Sequence, residues 1–170
     1  MTINERAKAE GFEIIRLKLG GDQIPGWLHV ENYAEPLDAT PGSIDQILCT
    51  GVVQTMPRWL VVNLLRDWYD KLRVQGLLAI EMPDLDKAIL LRERQSAGDL
   101  IATPLGYLNV GQWALYGDQW EGSIGNQYVW TVREFVQDLN KAGFYVKEAS
   151  HDAKFNRKGL DMWVVAERVA

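Results

Sequence analysis

The segment from Arg16 to Cys49 constrains the fold most strongly, because it has the pattern of strands separated by a glycine turn. A strand-like apolar run stops at Gly20-Gly21-Asp22, and the next strand-like run ends at Glu31. Glycines after a strand let a ligand approach the backbone, and an acid after the next strand can accept hydrogen bonds from ribose hydroxyls. The pattern indicates a site for a nucleoside-containing ligand, with an ordinary turn as the alternative.

Composition and charge narrow the class of protein. The chain has 170 residues, 47% of them hydrophobic, which predicts a single domain with one core. A formal net charge of -5 argues against a nucleic-acid partner, since phosphates are attracted by basic surfaces. A single cysteine, Cys49, excludes an internal disulfide and a multi-cysteine zinc cluster, and its apolar surroundings favour inert packing.

No apolar run approaches the roughly 20 residues that a membrane span requires, and the first residues lack the apolar stretch of a signal peptide. We therefore expect a cytoplasmic protein with no membrane association. The two histidines are too far apart in sequence to suggest a metal site.

Apolar periodicity predicts alternating strands and helices. The clearest helix runs from Pro57 to Arg73 and presents Trp68 to the core, with Gly76 as the left-handed residue just past its end. The other predicted elements are strands at 14–19, 27–31, 44–49 and 77–82, a helix from Asp84 to about Arg94, a helix capped by Thr131 and ended by Gly143, and an antiparallel hairpin of strands 144–149 and 160–167. Residues 96–130 form an insert rich in glycine and aromatic residues.

Four segments, taken in order, resemble one family. Leu17 to Trp27 resembles a Leu-Asn-Leu-Gly-x-Gly motif followed by Pro-Gly-Trp, and Gly42 to Pro57 resembles a Ser-Phe-Asp strand followed by a Val-Leu-Glu-His-Ile turn. Trp68 to Leu85 resembles a Leu-Lys-Pro-Gly-Gly turn with a later Val-Pro-Asp-Leu, and Thr131 to Phe144 resembles a helix ending in Ala-Gly-Phe. The chain thus looks like a class I S-adenosylmethionine-dependent methyltransferase, of the short type often found among bacterial surface-polysaccharide genes.

This resemblance implies an α/β fold with a Rossmann-like sheet, mostly parallel, with a C-terminal antiparallel hairpin and a shortened region near the third strand. It also implies S-adenosylmethionine as the cofactor, with its ribose on Glu31. The implied cofactor-binding residues are Leu19, Gly20, Gly21, Asp22, Glu31, Asp38, Thr50 and Gly51.

The chain departs from the family pattern within the implied cofactor site. Gly20-Gly21-Asp22 replaces Gly-x-Gly, so a side chain stands where the methionine part of the cofactor would lie against backbone. The interval from Glu31 to Asp45 is shorter than a third strand and its acidic turn usually need, which leaves Glu35 and Asp38 to contact adenine. Gln54 and Thr55 stand in place of the usual Glu and His.

The acceptor side of the site is predicted from aromatic residues and a histidine. Tyr116, Trp120, Tyr128 and Trp130 can wall a sugar-sized or aromatic substrate, with packing of the insert as the alternative. His151 with Asp152 is a candidate general-base pair, with a solvated turn as the alternative.

The expected function is methyl transfer to a small-molecule or saccharide acceptor, with positioning of the reacting atoms doing most of the catalysis. The alternative is a catalytically inactive methyltransferase-like module for binding or assembly. A homodimer is left open.

Overall fold

A six-stranded sheet organises the chain. The structure, a computed structural model, describes residues 1–94, 100–103, 106–117, 125–155, 157 and 159–170. The helices are α1 (Ile3–Ala9), α2 (Arg58–Lys71), α3 (Leu85–Arg94), α4 (Val110–Tyr116) and α5 (Val132–Lys141). The strands are β1 (Arg16–Leu19), β2 (Leu28–Val30), β3 (Ile44–Thr50), β4 (Leu72–Pro83), β5 (Leu100–Thr103), β6 (Gly106–Asn109), β7 (Phe144–Ser150) and β8 (Asp161–Arg168).

The strand order is β2-β1-β3-β4-β8-β7, and β5 pairs with β6 in a separate hairpin. Strands β2, β1, β3 and β4 are parallel, whereas β8 runs antiparallel to both β4 and β7. This arrangement confirms the predicted mostly parallel sheet with an antiparallel C-terminal hairpin. Residues 31–43 contain no strand, which confirms the predicted shortening.

The two faces of the sheet differ because side chains alternate along each strand. Leu17 and Leu19 of β1 are fully buried, and they belong to the core that α2 and α5 cover. Trp68 is also fully buried, as the helical pattern predicts. Lys18 lies between the two leucines, so its side chain leaves the opposite face of the sheet.

Capping boxes begin both α5, where the sequence predicts one, and α1, where it was not predicted. Thr131 and Glu134 form the predicted capping box, and Gly143 adopts a φ of 103° just after the helix. Helix α1 was not predicted, although Thr2 and Glu5 form the same kind of capping box. A helix of only seven residues gives too few turns for an apolar stripe to show in the sequence.

The prediction of a left-handed Gly76 after α2 is wrong. Helix α2 ends at Lys71 and β4 begins at Leu72, earlier than the predicted strand. The left-handed residue is Gln75, with a φ of 65°, whereas Gly76 has no positive φ. Gly76 is needed for space, since an added Cβ would lie 2.8 Å from the carbonyl oxygen of Arg73.

Candidate functional site

The carboxyl ends of β1 and β3 form the crevice where an open α/β sheet usually binds ligands. The chain passes from β1 outward to β2 and then crosses back to β3 on the other side of β1. Ligands bind at such a reversal because the connections diverge and leave a crevice. Gly20 and Gly21 follow β1 here, and Thr50 ends β3. The predicted glycine turn thus lies at the expected ligand-binding edge.

Both glycines of this turn adopt left-handed backbone, with φ of 68° at Gly20 and 60° at Gly21. A Cβ on Gly20 would lie 2.2 Å from Cγ1 of Val52 and 2.7 Å from the carbonyl oxygen of Thr50. A Cβ on Gly21 would lie 2.8 Å from Oγ1 of Thr50. The end of β3 therefore packs tightly on the turn, and this contact by itself requires glycine at Gly20.

A buried lysine, not anticipated from the sequence, lies in the same crevice. Lys18 is 3% exposed, and its Nζ donates to the carbonyl oxygen of Gly20 and to Oγ1 of Thr50. A third contact joins Nζ to the carbonyl oxygen of Leu19 at 3.3 Å. Burial lowers the pKa of Lys18, because removal from water disfavours the charged form.

Glu31 stands where two clefts meet at the carboxyl edge. It is exposed and lines a cleft of about 380 Å³ whose wall includes Thr2, Arg6 and His29. It also lines a cleft of about 340 Å³ that lies beside the turn following β3. The second cleft is lined by Glu31, Asn32, Tyr33, Ala34, Thr55, Met56, Pro57, Leu60 and Gln127. A carboxylate beside aromatic and aliphatic side chains is suited to a ligand that has hydroxyl groups and a flat ring.

The remaining predicted cofactor residues differ in their surroundings. The side chain of Leu19 is buried in the core, so only its backbone faces the crevice. Asp22 is exposed, and Gly51 has a φ of 70° and donates its N–H to the carbonyl oxygen of Glu81. Asp38 accepts a backbone hydrogen bond from Ile3 and lines neither of the two clefts.

The predicted pairing of His151 with Asp152 is wrong. Nδ1 of His151 instead forms a hydrogen bond with Oδ2 of Asp84, a fully buried carboxylate that follows β4. The side chain of Asp152 is 87% exposed, and its carboxylate lies 3.8 Å from Nζ of Lys87. Strands β4 and β7 run in the same direction, so both partners lie at the carboxyl edge, and only the sheet order could show this.

Among the predicted aromatic residues that the structure describes, Trp130 and Tyr116 differ sharply in exposure. Trp130 is fully buried and packs edge to face on Tyr128 and Phe135, with ring centroids 4.6 and 5.7 Å away. Trp130 therefore belongs to the core, which is the packing alternative. Tyr116 is 51% exposed at the end of α4, and Trp120 lies outside the described residues.

Further buried charges hold the segment that links β7 to β8 over the sheet edge. The carboxylate of Glu81 accepts hydrogen bonds from the backbone N–H groups of Lys154 and Phe155, at 2.6 and 2.8 Å. Asp161 pairs with Arg157, with Nη2 3.0 Å from Oδ1, while burial raises the pKa of Asp161. Sequence spacing offers no sign of the Glu81 contacts, which depend on the pairing of β4 with β8, whereas Arg157 and Asp161 are only four residues apart.

Cys49 fits the predicted role of inert packing, because it is fully buried and burial raises the pKa of its thiol to about 12.

Within the described ranges, no helix has the length and apolar character needed to cross a bilayer. Among the same residues, no group of three or more His, Cys, Asp or Glu side chains is arranged to hold a metal ion.

Comparison with known proteins identifies the fold. No protein-family model matches the chain, and no curated protein matches its sequence. An S-adenosylmethionine-dependent methyltransferase from Mesorhizobium loti aligns with a TM-score of 0.56 and 13% identity, covering 97% of this chain and 85% of that one. A SAM-dependent methyltransferase from Methanosarcina mazei aligns with a TM-score of 0.56 and 13% identity, covering 84% of this chain and 66% of that one.

A third similar structure is the 1,6-didemethyltoxoflavin-N1-methyltransferase of Burkholderia thailandensis, with 1,6-didemethyltoxoflavin and S-adenosylhomocysteine bound. It aligns with a TM-score of 0.55 and 14% identity, covering 96% of this chain and 75% of that one. At these identities the comparisons show the fold alone. The chain has the Rossmann-like fold of class I methyltransferases.

Proposed function

We propose that the chain is an S-adenosylmethionine-dependent methyltransferase. The observation that carries this proposal is the position of Glu31, which follows β2 beside the glycine turn and lines both clefts at the carboxyl edge of a methyltransferase-type sheet. The similar structures are named as methyltransferases of this kind, and one has S-adenosylhomocysteine bound.

The residues of the second cleft fit the nucleoside part of this cofactor. Glu31 would accept hydrogen bonds from the ribose hydroxyls, since its carboxylate is exposed at the cleft. Tyr33, Met56 and Leu60 supply the apolar contacts that a purine ring needs. When bound, S-adenosylmethionine supplies an electrophilic methyl group to a nucleophile held in line with it.

We propose a small-molecule or saccharide as the methyl acceptor, in keeping with the resemblance to short methyltransferases of polysaccharide gene clusters. Tyr116 is one of the aromatic residues predicted to contact the acceptor. Its side chain is described by the structure and is largely exposed. A flat exposed ring can stack on a sugar or a heterocycle.

The competing function is an inactive methyltransferase-like module for binding or assembly. Two observations favour it. The crevice at Gly20 is filled by Val52, Thr50 and Lys18, and the connection between β1 and β2, residues 20–27, contains no helix. A helix there would otherwise present backbone N–H groups to a ligand.

Calorimetric titration with S-adenosylhomocysteine and S-adenosylmethionine tests the two functions. Loss of hydrogen bonds to a charged group costs about 1.5–3 kcal/mol, so Glu31→Ala should weaken binding about 10- to 150-fold. Glu13→Ala is the matched control, because Glu13 is another exposed acid that lines neither cleft. An absence of binding to the unmodified chain at millimolar ligand would contradict methyl transfer and favour the inactive module.

A further inference from the structure

The ammonium of Lys18 bridges the two strands that flank the ligand-binding crevice. Its Nζ donates to a carbonyl oxygen after β1, at Gly20, and to a hydroxyl at the end of β3, at Thr50. With the carbonyl oxygen of Leu19 at 3.3 Å, the three N–H groups of the ammonium have three acceptors. A fully satisfied cation therefore occupies the crevice.

This cation has no direct ion pair among the described residues, although Asp22 and Glu81 lie near enough to favour its charged form. Within the described part of the chain, no carboxylate oxygen forms an ion pair with Lys18, and the nearest partners are neutral oxygens. Burying a lysine without an ion pair is costly, which is consistent with its lowered pKa. The crevice thus concentrates hydrogen-bond acceptors that suit an ammonium group, whichever molecule supplies it.

S-adenosylmethionine and S-adenosylhomocysteine also carry an ammonium, on the amino-acid end beyond the ribose. With the ribose on Glu31 after β2, that end must extend along the same edge toward β1 and β3, where Gly20 and Thr50 lie. We infer that the side chain of Lys18 occupies the place of the ligand's α-ammonium and competes with the amino-acid end of the ligand. This inference rests on the proposed function.

The sequence offers a direct way to remove the competitor. The motif that this strand resembles has asparagine at the position of Lys18. An asparagine side chain is shorter and neutral, so it cannot deliver a cation to the carbonyl oxygen of Gly20. Lys18→Asn and the apolar Lys18→Met should each leave the acceptors of the crevice available to the ligand.

The experiment compares two ligands on the purified full chain. S-adenosylhomocysteine has the amino-acid end, whereas 5′-methylthioadenosine has the same nucleoside without it. Because hydrogen bonds to an ammonium are worth about 1.5–3 kcal/mol, both Lys18 variants should bind S-adenosylhomocysteine about tenfold more tightly, or better, than the unmodified chain. Binding of 5′-methylthioadenosine should stay within about twofold of the unmodified chain, since it makes no such contact.

Lys71→Met is the matched control, because Lys71 also donates from a partly buried position to a carbonyl oxygen, that of Ala39, away from the crevice. It should leave both affinities unchanged. Far-UV circular dichroism and thermal unfolding establish that each variant is folded. If one Lys18 variant fails to fold, the comparison is made with the other.

The outcomes separate this inference from the proposed function. Tighter binding of S-adenosylhomocysteine, but not of 5′-methylthioadenosine, by the two Lys18 variants supports the competition. If only the variants bind S-adenosylhomocysteine, the competition is supported and the unmodified chain is the inactive module. Equal or weaker binding by the Lys18 variants, with the unmodified chain still binding, overturns the competition and leaves the proposed function standing. Failure of every form to bind either ligand overturns both.

Discussion

The ion pair between Arg58 and Asp138 joins the first turn of α2 to α5, and its removal should be strongly destabilising. Nε of Arg58 lies 2.9 Å from Oδ2 of Asp138, and Nη2 lies 2.9 Å from Oδ1. The indole N–H of Trp130 donates to Oδ2 at 3.1 Å. Asp138 is 2% exposed, so Arg58→Ala leaves a buried carboxylate with the indole and with Lys141, whose Nζ is 4.0 Å away.

The size of the effect follows from two limits. Two lost hydrogen bonds to a charged group would cost about 3–6 kcal/mol if nothing else changed. The carboxylate can instead take up a proton, and raising a pKa from about 3.9 to 7 costs about 4 kcal/mol at pH 7. Arg58 is 37% exposed, so solvent screens part of the interaction. We expect Arg58→Ala to reduce the free energy of unfolding by about 2–4 kcal/mol at pH 7.

The loss should depend on pH in a defined direction. Burial alone raises the pKa of Asp138, but the hydrogen bonds from Arg58 and Trp130 outweigh it and leave the pKa below its usual value. A lowered carboxyl pKa contributes stability above the unfolded-state value of about 3.9, and this is lost as the pH falls through the folded-state value. Without Arg58, burial dominates and raises the pKa of Asp138. Protonation of Asp138 at acid pH then removes the unpaired buried charge, which reduces the loss of stability in the variant. The difference between the two proteins should therefore be larger at pH 7 than near pH 4.

Urea unfolding followed by far-UV circular dichroism at both pH values measures this difference. Arg66→Ala is the control, because Arg66 is exposed on the same helix. In an Asp138→Asn background, Arg58→Ala should cost much less, since the buried charge is gone. A loss below about 1 kcal/mol at pH 7, or a loss independent of pH, would refute the reasoning.

Two further substitutions test the packing that shapes the site. Trp68→Ala should cost about 3–5 kcal/mol in urea unfolding, because the ring is fully buried under the sheet, whereas Trp59→Ala on the same helix, 67% exposed, should cost less than about 0.5 kcal/mol; similar losses would place Trp68 outside the core. Gly20→Ala should destabilise more than Gly42→Ala, since both glycines are left-handed, at φ of 68° and 71°, but only Gly20 has Val52 and Thr50 within 4 Å of an added Cβ. Left-handed backbone alone costs about 1–2 kcal/mol for alanine, so equal losses in thermal or urea unfolding would contradict the tight packing of β3 on the turn.

Sequence patterns were sufficient where the determining interactions are local. The apolar stripe around Trp68 and the capping box at Thr131 depend on residues three or four positions apart, and both were predicted. The antiparallel end of the sheet was also predictable, because the short link between its strands leaves no room for a crossover helix.

The candidate site was less predictable, because its contacts join strands that are distant in sequence. Lys18 belongs to a short alternating strand, and its burial depends on Thr50 arriving from β3. Asp84 meets His151 only because β7 returns to the same edge of the sheet. A neighbouring acid in sequence, Asp152, was the natural partner to expect for His151, but it points to solvent.

The place of β8 inside the sheet has a consequence for how the chain folds. Strand β8 follows β7 in sequence, yet it lies between β4 and β7, with Leu77 opposite Glu167 and Pro83 opposite Asp161. Until β8 has been synthesised, the backbone N–H and C=O groups on one edge of β4 have no strand to pair with. Such an exposed edge can pair with other chains. Contacts this remote in sequence also slow folding, because a long loop must close before they form. We therefore expect the sheet to be completed only after β8 has left the ribosome, with β4 the edge most in need of protection until then.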